Sequence, residues 1–145
     1  MKSAIDEIMK AWYDKLFAAI NVDGTMIPVY KVWADANSNS HFIVLRPESE
    51  TNDSTNAYYG KQSIILIDIV TKHNNVIDSS IVESIYNQIA ALIFPNAGWD
   101  FQLESLTGFS IASVIAESSV YLIEDAGTYR LYRKIMRMVH TIIQQ

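Results

Sequence analysis

The sequence contains no cysteine. That excludes disulfide staples, thiolate nucleophiles and cysteine-ligated zinc. Glycine, at 5 residues, and proline, at 3, are scarce, which excludes a collagen-like or linker protein. No apolar run approaches the ~18 residues of a membrane helix; the run IILI at residues 64–67 is broken by Asp68. The opening MKSAIDEIMKAWYDKL is charged throughout and has no apolar signal-peptide core. The default expectation is therefore the cytoplasm of the cell that makes the protein, with no membrane partner. The phosphate-cradling patterns GxxxxGK[ST] and GxGxxG are missing, as are HExxH and the GxSxG nucleophile elbow.

Acid is missing from one end. All 16 acids lie at or before Asp125, so residues 1–129 carry a net charge of −9. Residues 130–145 hold Arg130, Arg133, Lys134 and Arg137 and no acid, a net of +4. An acidic body with a basic end points to self-association or an acidic partner. The ordinary alternative is a solvated basic element. The overall acidity, with a pI near 5.0, argues against a free DNA-binding protein.

What is present is apolar content: half of 145 residues are hydrophobic, too many for a disordered chain. That length fits a single domain, residues 1–145, able to bury roughly two-thirds of its unfolded surface. Residues 4–20 predict an amphipathic helix, because Ile5, Ile8, Met9, Trp12, Leu16 and Ile20 recur at three- and four-residue spacing. Ser3 is its expected cap, and Gly24 its expected stop. Residues 26–33 and 41–45 predict two strands joined by the turn cluster DANSNS, hence a hairpin. Residues 48–60, ESETNDSTNAYYG, predict a long polar loop of the kind that binds something.

Residues 62–72, QSIILIDIVTK, give the strongest strand signal, apolar on both faces. Residues 76–94 predict a second helix on the stripe Ile77, Ile81, Ile85, Ile89, Leu92 and Ile93, with Asp78, Ser79 and Ser80 as caps. Short strands are expected near Phe101–Leu106, at 109–115 and at 118–124. Residues 128–143 are contested. Leu131, Ile135, Met138, Val139 and Ile142 fit a helical stripe, whereas the Tyr, Val, Ile and Thr content fits a long strand.

Candidate chemistry is sparse. His41, His73 and His140 show no helical ligand spacing and are expected at strand ends or exposed. Asp68 sits inside an apolar strand, where a carboxylate is costly unless paired. With Lys72 four residues on, it could serve a small metal-dependent nuclease, but the usual second acid before the lysine is missing: Val70 and Thr71 stand there. The competing expectation is an Asp at a sheet edge or subunit interface, paired to Lys or Arg.

The order of elements, with AWYDKLFAAI then TMIPVYKVWA, HFIVLRP, QSIILIDIVTKH, IVESIYNQIAALIFP and the ED-x-G-x-Y-R turn, resembles the phage tail-terminator and head–tail joining (neck) proteins. The resemblance implies an α+β fold: a mixed, mostly antiparallel β-sheet flanked by two main helices. It implies a strand at residues 128–143, and that assignment is adopted. It also implies a non-enzymatic virion protein with no cofactor or metal, located in the tail or neck and made in the host cytoplasm. Such a subunit forms a homo-oligomeric ring, hexameric or higher, between neighbouring connector and tail proteins, with DNA passing through. The partner-interface candidates are Glu48, Glu50, Tyr58, Tyr59, Arg130, Arg133, Lys134 and Arg137. The alternatives are the Asp68–Lys72 nuclease and a cytoplasmic dimeric adaptor.

Overall fold

The structure is a computed structural model that describes residues 3–34, 40–54, 59–96, 101–103 and 106–144. Helix α1 (Ile5–Leu16) is followed by the two-residue strands β1 (Asn21–Val22) and β2 (Thr25–Met26), then β3 (Val29–Lys31), β4 (Phe42–Asn52) and β5 (Gly60–His73). Helix α2 (Ser79–Ile93) precedes the long strands β6 (Phe109–Asp125) and β7 (Arg130–Gln144). The main sheet has the order β3-β4-β5-β7-β6. Every neighbouring pair is antiparallel except β3 and β4. This is the expected α+β class, a mostly antiparallel sheet with two helices.

Both helices lie on one face of the sheet. Ile8, Trp12 and Leu16 of α1 and Val82, Ile85, Ile89 and Ile93 of α2 join one buried cluster with Ile43, Leu45, Ile65, Ile67, Ile69, Met136, Met138 and Ile142. The strand contributions alternate, as the two-residue period of a strand requires. Burying about a dozen such side chains, at roughly 1.5–3 kcal/mol each, is the main term holding the fold together. The opposite face carries no described helix.

Several expectations are corrected. The first helix stops at Leu16, where Ala18 takes a positive φ of 58°. Asp23 (φ 50°) and Gly24 (φ 80°) form instead the two-residue turn of the β1–β2 hairpin, which needs positive φ at both central positions. The N-cap of α1 is Ala4, one residue later than expected, while the Ser3 hydroxyl accepts from the Ile5 N–H at 3.3 Å. The predicted hairpin of residues 26–33 and 41–45 is a parallel pair, with Val29 beside Ile43 and Lys31 beside Leu45.

The predicted polar loop of residues 48–60 is half strand. β4 runs on through Pro47 to Asn52, because no described strand lies outside it there and Pro47 has no missing partner to regret on that side. Residues 101–103 are not a strand, while 109–125 form one strand with irregularities after Ile111 and Ala116. β7 is the strand that the resemblance implied, paired along its whole length to β5. α2 begins where the caps predicted, with the Asp78 side chain accepting from the Ser80 N–H.

Candidate assembly surface

The charged residues singled out from sequence meet one another inside the chain. On the open face, Asp68 is fully buried on the central strand β5, clamped between Arg46 (2.9 Å) and Arg133, whose guanidinium also reaches Glu124. Arg137 bridges Glu48 (2.7 Å) and Glu117 (2.6 Å). On the helix face, the Lys134 ammonium contacts Glu83 at 3.1 Å and lies 3.6 Å from the Tyr86 ring centroid. Arg130 donates to the Asn75 carbonyl at 3.0 Å.

The charge split along the sequence thus largely closes in space, because β7 lies between β5 and β6. Four cations gathered in eight residues are distributed to opposite faces by strand alternation. Asp68 is paired to arginine as expected, but at the centre of the sheet rather than an edge.

Glu50 has a different part. Its carboxylate accepts from the Ala4 N–H at 3.1 Å, at the N-terminus of α1, and from Lys61 at 2.7 Å and Ser63 at 3.1 Å. Burial opposes its charge, but Lys61, Ala4 and Ser63 outweigh it and hold the carboxyl below its ordinary range. Glu50 therefore joins Ser3 in capping α1, Glu50 at the Ala4 N–H and Ser3 at the Ile5 N–H, and ties α1 to β4. Tyr59 is exposed; Tyr58 lies outside the described residues.

Nuclease chemistry finds little support in this geometry. Both Asp68 oxygens are engaged by arginine, and Lys72 lies 5.1 Å from the Tyr129 ring centroid. Among the described residues no group of three His, Asp or Glu could hold a metal. His41 and His73 sit at strand ends; His41 accepts from the Lys72 N–H at 3.1 Å. His140, expected at an end or exposed, is instead fully buried in mid-strand. Its Nε2 accepts from Trp12 Nε1–H at 2.7 Å, so the proton sits on Nδ1 and is donated to the Ser63 carbonyl at 2.9 Å. Burial is the dominant cause that lowers its pKa from 6.5 to about 4, against the Ser63 contact.

The residues that sequence reasoning passed over lie at the free edge. β6 is the last strand of the sheet, and from Ile115 to Asp125 every residue is exposed. Val120, Tyr121, Leu122 and Ile123 are 53%, 47%, 40% and 66% exposed. Four consecutive large apolar side chains on an unpaired strand edge form a template for another chain. The signal was present as VYLI, an apolar run without alternation, but it reads equally as a doubly buried strand. Only the strand order shows that its neighbours stop on one side.

No family model and no curated protein matches the sequence. Among solved structures, a chain of the virion of a native gene transfer agent particle shares the fold. The TM-score is 0.65 at 14% sequence identity, over 97% of this chain and 99% of that one. At that identity the likeness speaks to the fold alone.

Proposed function

We propose that this chain is a non-enzymatic structural protein of a phage-like virion, acting as one domain, and that it forms a homo-oligomeric ring at the head–tail joint or tail end. The observation that carries this reading is the bare apolar edge of β6. A free monomer usually blunts such an edge with proline, lysine or a covering element, whereas an assembly subunit keeps it for its neighbour. The shared fold with a virion chain supports the same class. Neighbouring connector and tail proteins are the further partners, and the passing DNA is a third.

Native mass spectrometry over a concentration series tests the proposal. A ring predicts one closed oligomer, six copies or more, and ring-shaped particles by electron microscopy. Leu122→Glu should abolish the oligomer while leaving the circular dichroism spectrum unchanged. A chain that stays monomeric at every concentration overturns the ring.

A further inference from the structure

We infer that the ring contact is a strand pairing, in which β6 of one copy pairs antiparallel with β3 of the next copy, so that the sheets join edge to edge. This rests on the ring reading above and names the two surfaces that meet.

The two sheet edges match in direction and level. β3 runs parallel to β4, and each later step across the sheet is antiparallel, so β3 and β6 run in opposite directions. The transverse rows can be followed from edge to edge. Lys31 lies beside Leu45, then Ile67, Met136 and Ser119. Tyr30 shares a row with Val120 by the same route through Val44, Asp68 and Ile135. A second copy generated by rotation about an axis along the strands therefore presents its β3 antiparallel to β6 and at the same height. Such a contact is heterologous and repeats around a ring.

Both edges also expose apolar side chains. Val32 and Trp33, immediately after β3, are 56% and 81% exposed. Val32 has a φ of 68°, an outlier for a β-branched residue, and the Trp33 N–H donates to the Lys31 carbonyl at 2.8 Å. This three-residue turn is strained, and strain of this kind persists where the surrounding structure uses it. It turns Trp33 onto the open face, beside a shallow pocket lined also by Phe42, Val44, Arg46 and Arg133. On β6, Val120 and Leu122 belong to that same face, since they share rows with Ile135 and Arg133. A joined sheet thus brings Trp33 of one copy against Val120 and Leu122 of the next.

Charge disfavours the symmetric alternative. The outer half of β6 carries Glu117, Glu124 and Asp125 and no base, whereas β3 carries Lys31. Glu124 and Glu117 already have in-chain partners in Arg133 and Arg137, so a symmetric β6–β6 pair would add chiefly the two Asp125 carboxylates to one seam, and it would leave Trp33 uncovered. The β3–β6 pair brings no two acidic edges together and covers both apolar patches. Three paired residues make a weak single contact, so closure of the ring, with two contacts per copy, supplies the stability.

The absence of cysteine makes the test clean. Chains carrying Lys31→Cys are mixed with chains carrying Ser119→Cys, Tyr121→Cys or Val120→Cys under mild oxidation. Lys31 shares its face of the sheet with Ser119 and Tyr121 but not with Val120. The mixed disulfide should form about tenfold more efficiently with position 119 or 121 than with 120, because contact raises the effective concentration. Equal yields at all three positions, or efficient cross-linking of Ser119→Cys or Val120→Cys alone, overturn the pairing in favour of a β6–β6 contact or none. Oligomers of the unmodified chain without any mixed adduct overturn this pairing and leave the ring standing. An unmodified chain that never oligomerises overturns both.

Discussion

The two faces of the sheet solve the same problem with different materials. The helix face is closed by α1 and α2, and the polar groups it buries find partners inside the chain: Trp12 with His140 and the Ser63 carbonyl, Thr71 with His73 and the Tyr132 carbonyl, and Lys134 with Glu83. The open face has no described helix over it and instead lays Arg46 and Arg133 over Asp68 beside Val44 and Val70, with Arg137 held by Glu48 and Glu117. Long arginine stems cover apolar surface while their heads stay near water. A half-buried face built this way tolerates solvent and still offers apolar area to a neighbour, whereas the helix face can only be a core. The difference teaches why the strand pattern blurs: on β5 and β7 both faces are partly buried, so apolar residues do not alternate with polar ones.

The largest effect that would break this contrast is on the covered face. Trp12→Ala removes a fully buried ring and orphans His140, and should cost at least ~3–5 kcal/mol, read as a loss of denaturant midpoint at constant slope. On the open face, Asp68→Ala leaves two arginines facing each other. The expected cost is about 3 kcal/mol, at the low end for a broken buried pair because Arg46 can turn to solvent. The sharper version replaces the cluster with Arg46→Met, Asp68→Leu and Arg133→Met together. That variant should recover most of the loss or exceed the parent in melting temperature, since apolar residues of similar volume often replace buried ion pairs without penalty.

Titration separates the faces next. The His140 pKa is depressed by burial to about 4, so the unfolded chain binds a proton first as pH falls. Its contribution is whole above pH 6.5 and is lost as pH falls from there towards 4, by roughly 3 kcal/mol in total. Urea titrations at successive pH values should show that slope, and His140→Leu should flatten it. An unchanged slope would mean that other groups carry it. The smallest effect on stability is expected at the bare edge: Val120→Lys should change it by no more than ~0.5 kcal/mol, because the side chain is 53% exposed, while light scattering should show the oligomer lost.

Much of the fold was legible. Both helices announced themselves by spacing, and Asp78 marked the start of α2, because a helix stripe and its cap are local properties. Residues 62–72 read as a doubly buried strand because β5 is central. Other features were not legible. The parallel pairing of β3 with β4 depends on a connection whose turn residues suggest a hairpin. The strand character of residues 48–52 was hidden by charge, since Glu48 and Glu50 find their partners, Arg137 and the α1 N-terminus, only in three dimensions. Of the candidate interface, the cations were visible and the edge was not.

By itself the sequence determined the class: cysteine-free, α+β, two amphipathic helices and a central apolar strand. These follow from composition and from spacing within a few residues, where the physics is local. The tertiary structure alone decided that β7 inserts between β5 and β6. That one choice pairs Arg133 with Asp68, buries His140 against Trp12 and leaves β6 at the edge. The β5–β7 pairing joins residues 57 to 83 positions apart, from His73 with Arg130 to Gly60 with Ile143, and no local pattern encodes which partner a strand finds.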